Sequence, residues 1–208
     1  LMEIELNQGA NSVGQGAFEG CTAMTKASLP SSLTRLGQSM FKDCTSLQEV
    51  SWAATTSSAT IGISAFEGCT SLASVTFPDT VDIIGDYAFA YSGLGAVILP
   101  EGVNDLGDYA FAGCPSLTEA TLPSTLDTIP VGAFSGCTSL SKVNFAEDGL
   151  ETVGVGAFQS TRLTSVSFPE GVTSIGDSAP QAAQRWYKSF LCFSTRMVSG
   201  SLQRGQRT

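Results

Sequence analysis

An Ala-Phe pair, or a near equivalent, returns along this chain at Phe18, Phe41, Phe66, Phe89, Phe111, Phe134 and Phe158, at spacings of 22 to 25 residues. A second anchor keeps step with it at Leu1, Met24, Leu47, Leu72, Leu94, Leu117, Leu140 and Leu163. One unit, from Leu117 to Ser139, reads LTEATLPSTLDTIPVGAFSGCTS. A unit this short cannot bury its own apolar face, whereas stacked copies share one continuous core. The repeat therefore sets aside most folds at once and leaves a solenoid.

Each stretch of the unit has a physical role. Val50 and Trp52, Val75 and Phe77, Val143 and Phe145, and Val166 and Phe168 are apolar pairs two residues apart, which point to one face of a strand. The prolines that follow in most units (Pro30, Pro78, Pro100, Pro123, Pro169) end the ladder because they have no N–H to donate. A second apolar pair, as in Val103 and Leu106 or Val172 and Ile175, predicts a short return strand. Gly14, Gly37, Gly62, Gly85, Gly107, Gly154 and Gly176 then mark a corner where a side chain would clash. Asp86, Asp108 and Asp177 sit where a short helical turn is expected to start, and are expected to cap its free N–H groups. The expected architecture is a repeat solenoid: a right-handed, leucine-rich-repeat-like stack of coils about 23 residues long, with a parallel β-sheet face and short helical turns, neighbours lying about 4.8 Å apart.

Composition removes several functions. The 208 residues include no His, which excludes a Ser-His-Asp triad, a Cys-His pair and an HExxH zinc site. The net charge of −9 argues against nucleic acid or an anionic membrane as partner, since both need clustered Lys and Arg. No run of 18 apolar residues exists to span a bilayer. No basic-then-apolar leader is legible, and a leader ahead of Leu1 is compatible with the sequence.

The string (I/L)-G-x-x-A-F-x-G-C-x-S-L-x-x-V-x-L-P resembles the BspA-like, or Treponema-type, leucine-rich repeat. Ile84-Gly85-Asp86-Tyr87-Ala88-Phe89 and Cys69-Thr70-Ser71-Leu72-Ala73-Ser74-Val75-Thr76-Phe77-Pro78 carry the likeness. It covers residues 1–179 in about seven to eight coils, which read as N-terminally incomplete because Leu1 to Leu6 already fit the strand pattern. The resemblance implies a surface or secreted protein engaged in adhesion, host-protein binding or cell–cell contact, with no catalytic residues to carry over.

Residues 180–208 are different in kind. All 19 acidic residues lie at or before Asp177, and five of the ten basic ones follow it: Arg185, Lys188, Arg196, Arg204 and Arg207. Pro180 stands where the next motif Phe is due. A capping helix bearing Trp186, Phe190, Phe193 and Met197, a disordered basic tail or membrane-surface helix, and a gene-model artefact are the three readings of this segment.

Four sets of residues are candidates for chemistry or binding. Cys21, Cys44, Cys69, Cys114 and Cys137 stand three residues after the motif Phe, a column whose stacked side chains suit neither disulfides nor a closed zinc shell. The column Gln15, Gln38, Ile63, Asp86, Asp108, Val131, Val155 and Asp177 is too broken for a periodic calcium site. The Gly-x-Gly-Ala-Phe strings belong to the repeat corner and are not phosphate loops. No cofactor or metal is expected. The remaining candidate is the outward strand face, where one column is Lys26, Glu49, Ser74, Ala96, Glu119, Lys142 and Ser165. The other is Ser28, Ser51, Thr76, Ile98, Thr121, Asn144 and Ser167. Solenoids bind over such faces, so the expected function is non-catalytic binding of a protein or glycan by a surface or secreted module. An intracellular scaffold in the cytoplasm, or the repeat region of a larger enzyme or receptor, is the alternative.

Overall fold

The computed structural model describes residues 2–177; the three readings of the basic tail concern residues outside that range. In chain order the strands are β1 (Glu3–Glu5), β2 (Lys26–Leu29), β3 (Arg35–Leu36), β4 (Glu49–Trp52), β5 (Ala59–Ile61), β6 (Val81–Ile84), β7 (Ala96–Ile98), β8 (Asp105–Leu106), β9 (Glu119–Thr121), β10 (Thr128–Ile129), β11 (Lys142–Asn144), β12 (Thr152–Val153) and β13 (Ser174–Ile175). Every pairing is parallel and joins strands of successive coils. The described residues thus form a parallel β-solenoid of about eight coils, as the repeat predicts.

Two ladders run along the stack. The broad strand face comprises the sheets β1-β2-β4 and β7-β9-β11, and the return strands form β3-β5-β6-β8 and β10-β12-β13. The broad face lapses at residues 73–77, where no strand forms although Val75 and Phe77 keep the two-apart pattern. This lapse follows the longest coil, 25 residues from Phe41 to Phe66. A coil of different circumference offsets the next strand from the amide row it would pair with.

Between the ladders lies a spine of phenylalanines. Phe18, Phe41, Phe66, Phe89, Phe111, Phe134 and Phe158 stack in order, with ring centroids 5.1 to 5.6 Å apart and planes within 18° of parallel. All but Phe18 are buried, together with the anchors Met24, Leu47, Leu72, Leu94, Leu117, Leu140 and Leu163. Aromatic pairs add about 0.5–1.5 kcal/mol each beyond the area they bury, so the spine welds coil to coil.

The turn that carries each Phe differs from the expected helical one, and no helix forms among the described residues. Overlapping turns take its place, and their N–H groups alternate in direction. Ala88, Ala90 and Ser92 donate to carbonyls three residues back, whereas Tyr87, Phe89 and Tyr91 donate to Asp108, Ala110 and Ala112 of the next coil at 2.7–2.9 Å. The same alternation recurs through the stack, for example at Gly16, Phe18 and Gly20. It requires positive φ two residues before and two residues after each Phe. Gly16 and Gly20, Ser39 and Asp43, Ser64 and Gly68, Tyr87 and Tyr91, Tyr109 and Gly113, Gly132 and Gly136, and Gly156 and Ser160 all lie there, at φ of 54 to 76°.

The corner glycines have a different reason to exist, which is space. A Cβ on Gly107 would lie 2.2 Å from the Asp86 nitrogen, and one on Gly62 would lie 2.6 Å from the Leu36 carbonyl oxygen. Backbone rests on backbone here, as the clash argument from sequence requires. Asp86 and Asp108 do not cap their own turns. Asp86 Oδ1 accepts the Asp108 N–H at 2.8 Å, and Asp108 Oδ1 accepts the Val131 N–H at 3.0 Å. Stacking brings the next coil's amide within reach, so these carboxylates tie coil to coil.

Candidate functional site

The strand-face columns are in register where strands exist. Glu3, Lys26 and Glu49 stand side by side, as do Glu5, Ser28 and Ser51. Farther along, Ala96, Glu119 and Lys142 align, with Ile98, Thr121 and Asn144 beside them. Ser74 and Thr76 fall in the lapse, and Ser165 and Ser167 lie outside any strand, so the face is two patches rather than one. Glu3 and Glu5 extend the first patch and were missed in the sequence, although the pattern of the opening residues carried the signal.

Within each patch the polar side chains hold one another. Lys26 Nζ meets Glu49 Oε1 at 3.0 Å, and Lys142 Nζ meets Glu119 Oε1 at 2.7 Å. Ser51 Oγ donates to Ser28 Oγ at 3.2 Å. Asn144 Nδ2 donates to Glu119 Oε1 at 2.7 Å and to Thr121 Oγ1 at 2.9 Å. The Lys142 ammonium and then the Asn144 amide hold the Glu119 carboxyl below its ordinary range, and the Glu49 carboxylate raises Lys26. Ile98 stands 72% exposed in the middle of the second patch.

The cysteines face inward. Cys44 Sγ donates to the Phe18 carbonyl at 3.0 Å, Cys69 to Phe41 at 3.1 Å, Cys114 to Phe89 at 3.2 Å and Cys137 to Phe111 at 3.0 Å. Each thiol thus ties its coil to the Phe of the coil before. All are free, and burial pushes the Cys44 thiol up to about 11 and Cys69 higher still. Among the described residues no group of three or more His, Cys, Asp or Glu is placed to hold a metal ion. No helix among them is long and apolar enough to cross a membrane. A shallow pocket between Leu122, Leu126, Phe145 and Leu150 has room for about one water.

The turn side carries a second feature that reading one unit at a time had missed. Tyr87 and Tyr109 stack at 5.1 Å with planes 8° apart, and both stand at positive φ. Tyr91, 57% exposed, lies over Gly113, where an added Cβ would come within 2.5 Å of the ring. The Tyr109 ring covers Gly132 in the same way. Left-handed backbone costs an L-residue about 1–2 kcal/mol, and glycine or serine fills these positions in most other coils. Partial burial, then the Tyr109 phenol and the Asp86 and Asp108 carboxylates, push the Tyr87 hydroxyl above its ordinary range.

The chain matches the family model of the BspA type leucine rich repeat region in six copies, over residues 1–92 and 59–184. It is similar to the crystal structure of a T. pallidum leucine-rich repeat protein, with 28% identity and a TM-score of 0.67, covering 91% of this chain and 76% of that one. A leucine-rich repeat protein from Bacteroides ovatus gives 27% identity and a TM-score of 0.66, covering 84% of this chain. This chain spans about half of that protein's resolved length, 53%. No curated protein matches the chain.

Proposed function

The chain belongs to the BspA-type leucine-rich repeat family, and from that premise we propose that it is a non-catalytic interaction module that binds a protein partner across its strand face. The observation that carries this reading is the register of the outward columns, Lys26 with Glu49 and Ser28 with Ser51 in one patch, Glu119 with Lys142 and Thr121 with Asn144 in the other. Side chains already held by their neighbours lose little freedom when a partner arrives. The mixed charges and hydroxyls offer donors and acceptors on a surface repeated at coil spacing, which suits a folded or extended protein chain. Ser74 and Thr76, between the two patches, and Ser165 and Ser167, beyond the second, complete the columns as looser contacts.

A location at the cell surface or in a secreted product belongs to the same proposal. Two experiments test it. Antibody against residues 2–177 should label intact cells that make the full-length protein; labelling only after permeabilisation would remove the surface reading. The 208-residue chain should then capture a protein from a panel of purified matrix and surface proteins, and Ser51→Arg with Thr121→Arg should abolish that capture. Capture that survives both substitutions, or capture of glycans alone, would move the site off this face or change the partner class.

A further inference from the structure

We infer that the tyrosine-bearing turn side is a second docking surface, which takes a cationic protein segment by laying an arginine or lysine side chain against Tyr91, beside the stacked Tyr87 and Tyr109, and pairing its charges with Asp86 and Asp108. This surface is separate from the strand face and does not depend on the role given to it.

Exposed apolar side chains concentrate here. Of the six large ones exposed among the described residues, Ile63, Tyr87, Tyr91 and Val155 lie on the turn side, whereas the strand face has Ile98. Tyrosine and arginine dominate binding hot spots because a large, rigid aromatic gives contact area at little entropic cost. Three tyrosines stand at left-handed positions that a glycine would fill without strain. Strained residues persist where the surrounding structure holds them, and they cluster at functional sites. Tyr91 is 57% exposed; its ring lies over Gly113, and the preceding coil carries Gly68 at the matching position, where the Asp43 carboxylate reaches over the glycine. A cation over a tyrosine face is attracted by the ring quadrupole.

Charge names the partner. Between Lys42 and Lys142 the chain carries eleven acidic residues and no basic one. Those two lysines are themselves engaged, with Glu67 at 2.9 Å and with Glu119 at 2.7 Å. No residue between Lys42 and Lys142 therefore supplies a cation to the middle of the stack. Asp86 and Asp108 each commit Oδ1 to a backbone N–H of the next coil, which fixes the carboxylate beside the rings. A carboxylate has lone pairs for more than one donor, so each can accept a further charged hydrogen bond. The Tyr87 and Tyr109 rings face one another and close those faces to sugar and cation alike, so the ring contact falls on Tyr91 and the ion pairs on Asp86 and Asp108.

The test is a fluorescence-anisotropy titration of a labelled arginine nonapeptide against the whole chain, at a salt concentration of about 150 mM so that diffuse charge is screened. The variant Tyr87→Asn, Tyr91→Asn, Tyr109→Asn keeps the net charge, and asparagine tolerates left-handed backbone. It should bind about tenfold more weakly, while circular dichroism shows the solenoid intact. Asp86→Asn with Asp108→Asn retains the carbonyl acceptor for the next coil's N–H and should weaken binding by a similar factor. Ser51→Arg with Thr121→Arg, on the strand face, should retain peptide binding within about twofold, which separates this surface from the other. If the triple variant fails to fold, Tyr91→Asn alone should still lower the affinity severalfold. Binding unchanged in the folded tyrosine variants, or no measurable binding by the wild type, would overturn the assignment.

Discussion

Phe111→Ala puts the spine to its hardest test. Phe111 is fully buried, with Phe89 on one side at 5.3 Å and Phe134 on the other at 5.4 Å, both within 5° of parallel. Its carbonyl also accepts the Cys137 thiol at 3.0 Å. Truncation leaves the two flanking rings facing one another across about two coil heights, too wide for either to close without moving its own coil. Core Phe→Ala changes cost about 3–5 kcal/mol, and two ring contacts vanish together, which places this site at the upper end. Phe18 offers the comparison within the same column. It is half-buried and stacks on Phe41 alone at 5.4 Å, so Phe18→Ala should cost about 1–2 kcal/mol. Urea unfolding followed by circular dichroism measures both, and the m-value shows whether the stack still melts as one unit. Because a repeat array is stabilised by nearest-neighbour interfaces, the interior variant should also lower the m-value as the two halves uncouple. A cost for Phe111→Ala below about 2 kcal/mol, or equal to that of Phe18→Ala, would refute the view that the rings act as a continuous spine.

Three further outcomes follow from the same geometry. Gly107→Ala drives a Cβ to 2.2 Å from the Asp86 nitrogen and should cost about 3 kcal/mol or more, whereas Gly14→Ala meets nothing within 4 Å and should change stability by less than about 1 kcal/mol; thermal melts of the two variants decide it. The folded pKa of Glu119 is depressed, so its stabilisation is present above the ordinary carboxylate value of 4.5 and is lost as pH falls through the lower folded value. The melting-temperature gap between the wild type and Glu119→Gln should therefore shrink as pH drops from neutral to strongly acid, and a gap that widens would reverse the sign. Peptide mapping after native alkylation at mildly alkaline pH should find Cys21 labelled well before Cys44, Cys69, Cys114 and Cys137, since those four are fully buried; equal rates would mean the stack opens freely.

Much of this fold was legible in the residues because a repeat states each requirement several times. The Phe anchors from Phe41 onward and the Leu anchors are buried where the periodicity puts them, and every corner glycine but Gly14 meets the backbone it was expected to meet. The outward pairs Lys26–Glu49 and Lys142–Glu119 follow directly from the column register. What escaped were properties that belong to the junction between coils rather than to one unit. Asp86 looked like a cap for its own turn, and only the stacking offset reveals that the Asp108 amide is the nearer donor. Val75 and Phe77 have the strand pattern yet no strand, because pairing depends on the circumference of the coil before. The left-handed positions were masked by chemistry, since serine, aspartate and tyrosine hold places that glycine advertises in other coils. The tyrosine surface emerges only when positions two before and two after the Phe are compared down the column.

The lapses in the two ladders never fall at the same joint. The broad face is interrupted on both sides of residues 73–77, where the return strands β5, β6 and β8 run through unbroken. The return strands part between β8 and β10, where the broad face is held by β7 and β9. This is the rule a mason follows in staggering the vertical seams of a wall. No plane between coils can be cut by breaking one row of bonds, so a tear begun at one seam must turn a corner to continue. A stack assembled from imperfect coils of 22 to 25 residues thereby resists splitting along its length without needing every coil to be perfect.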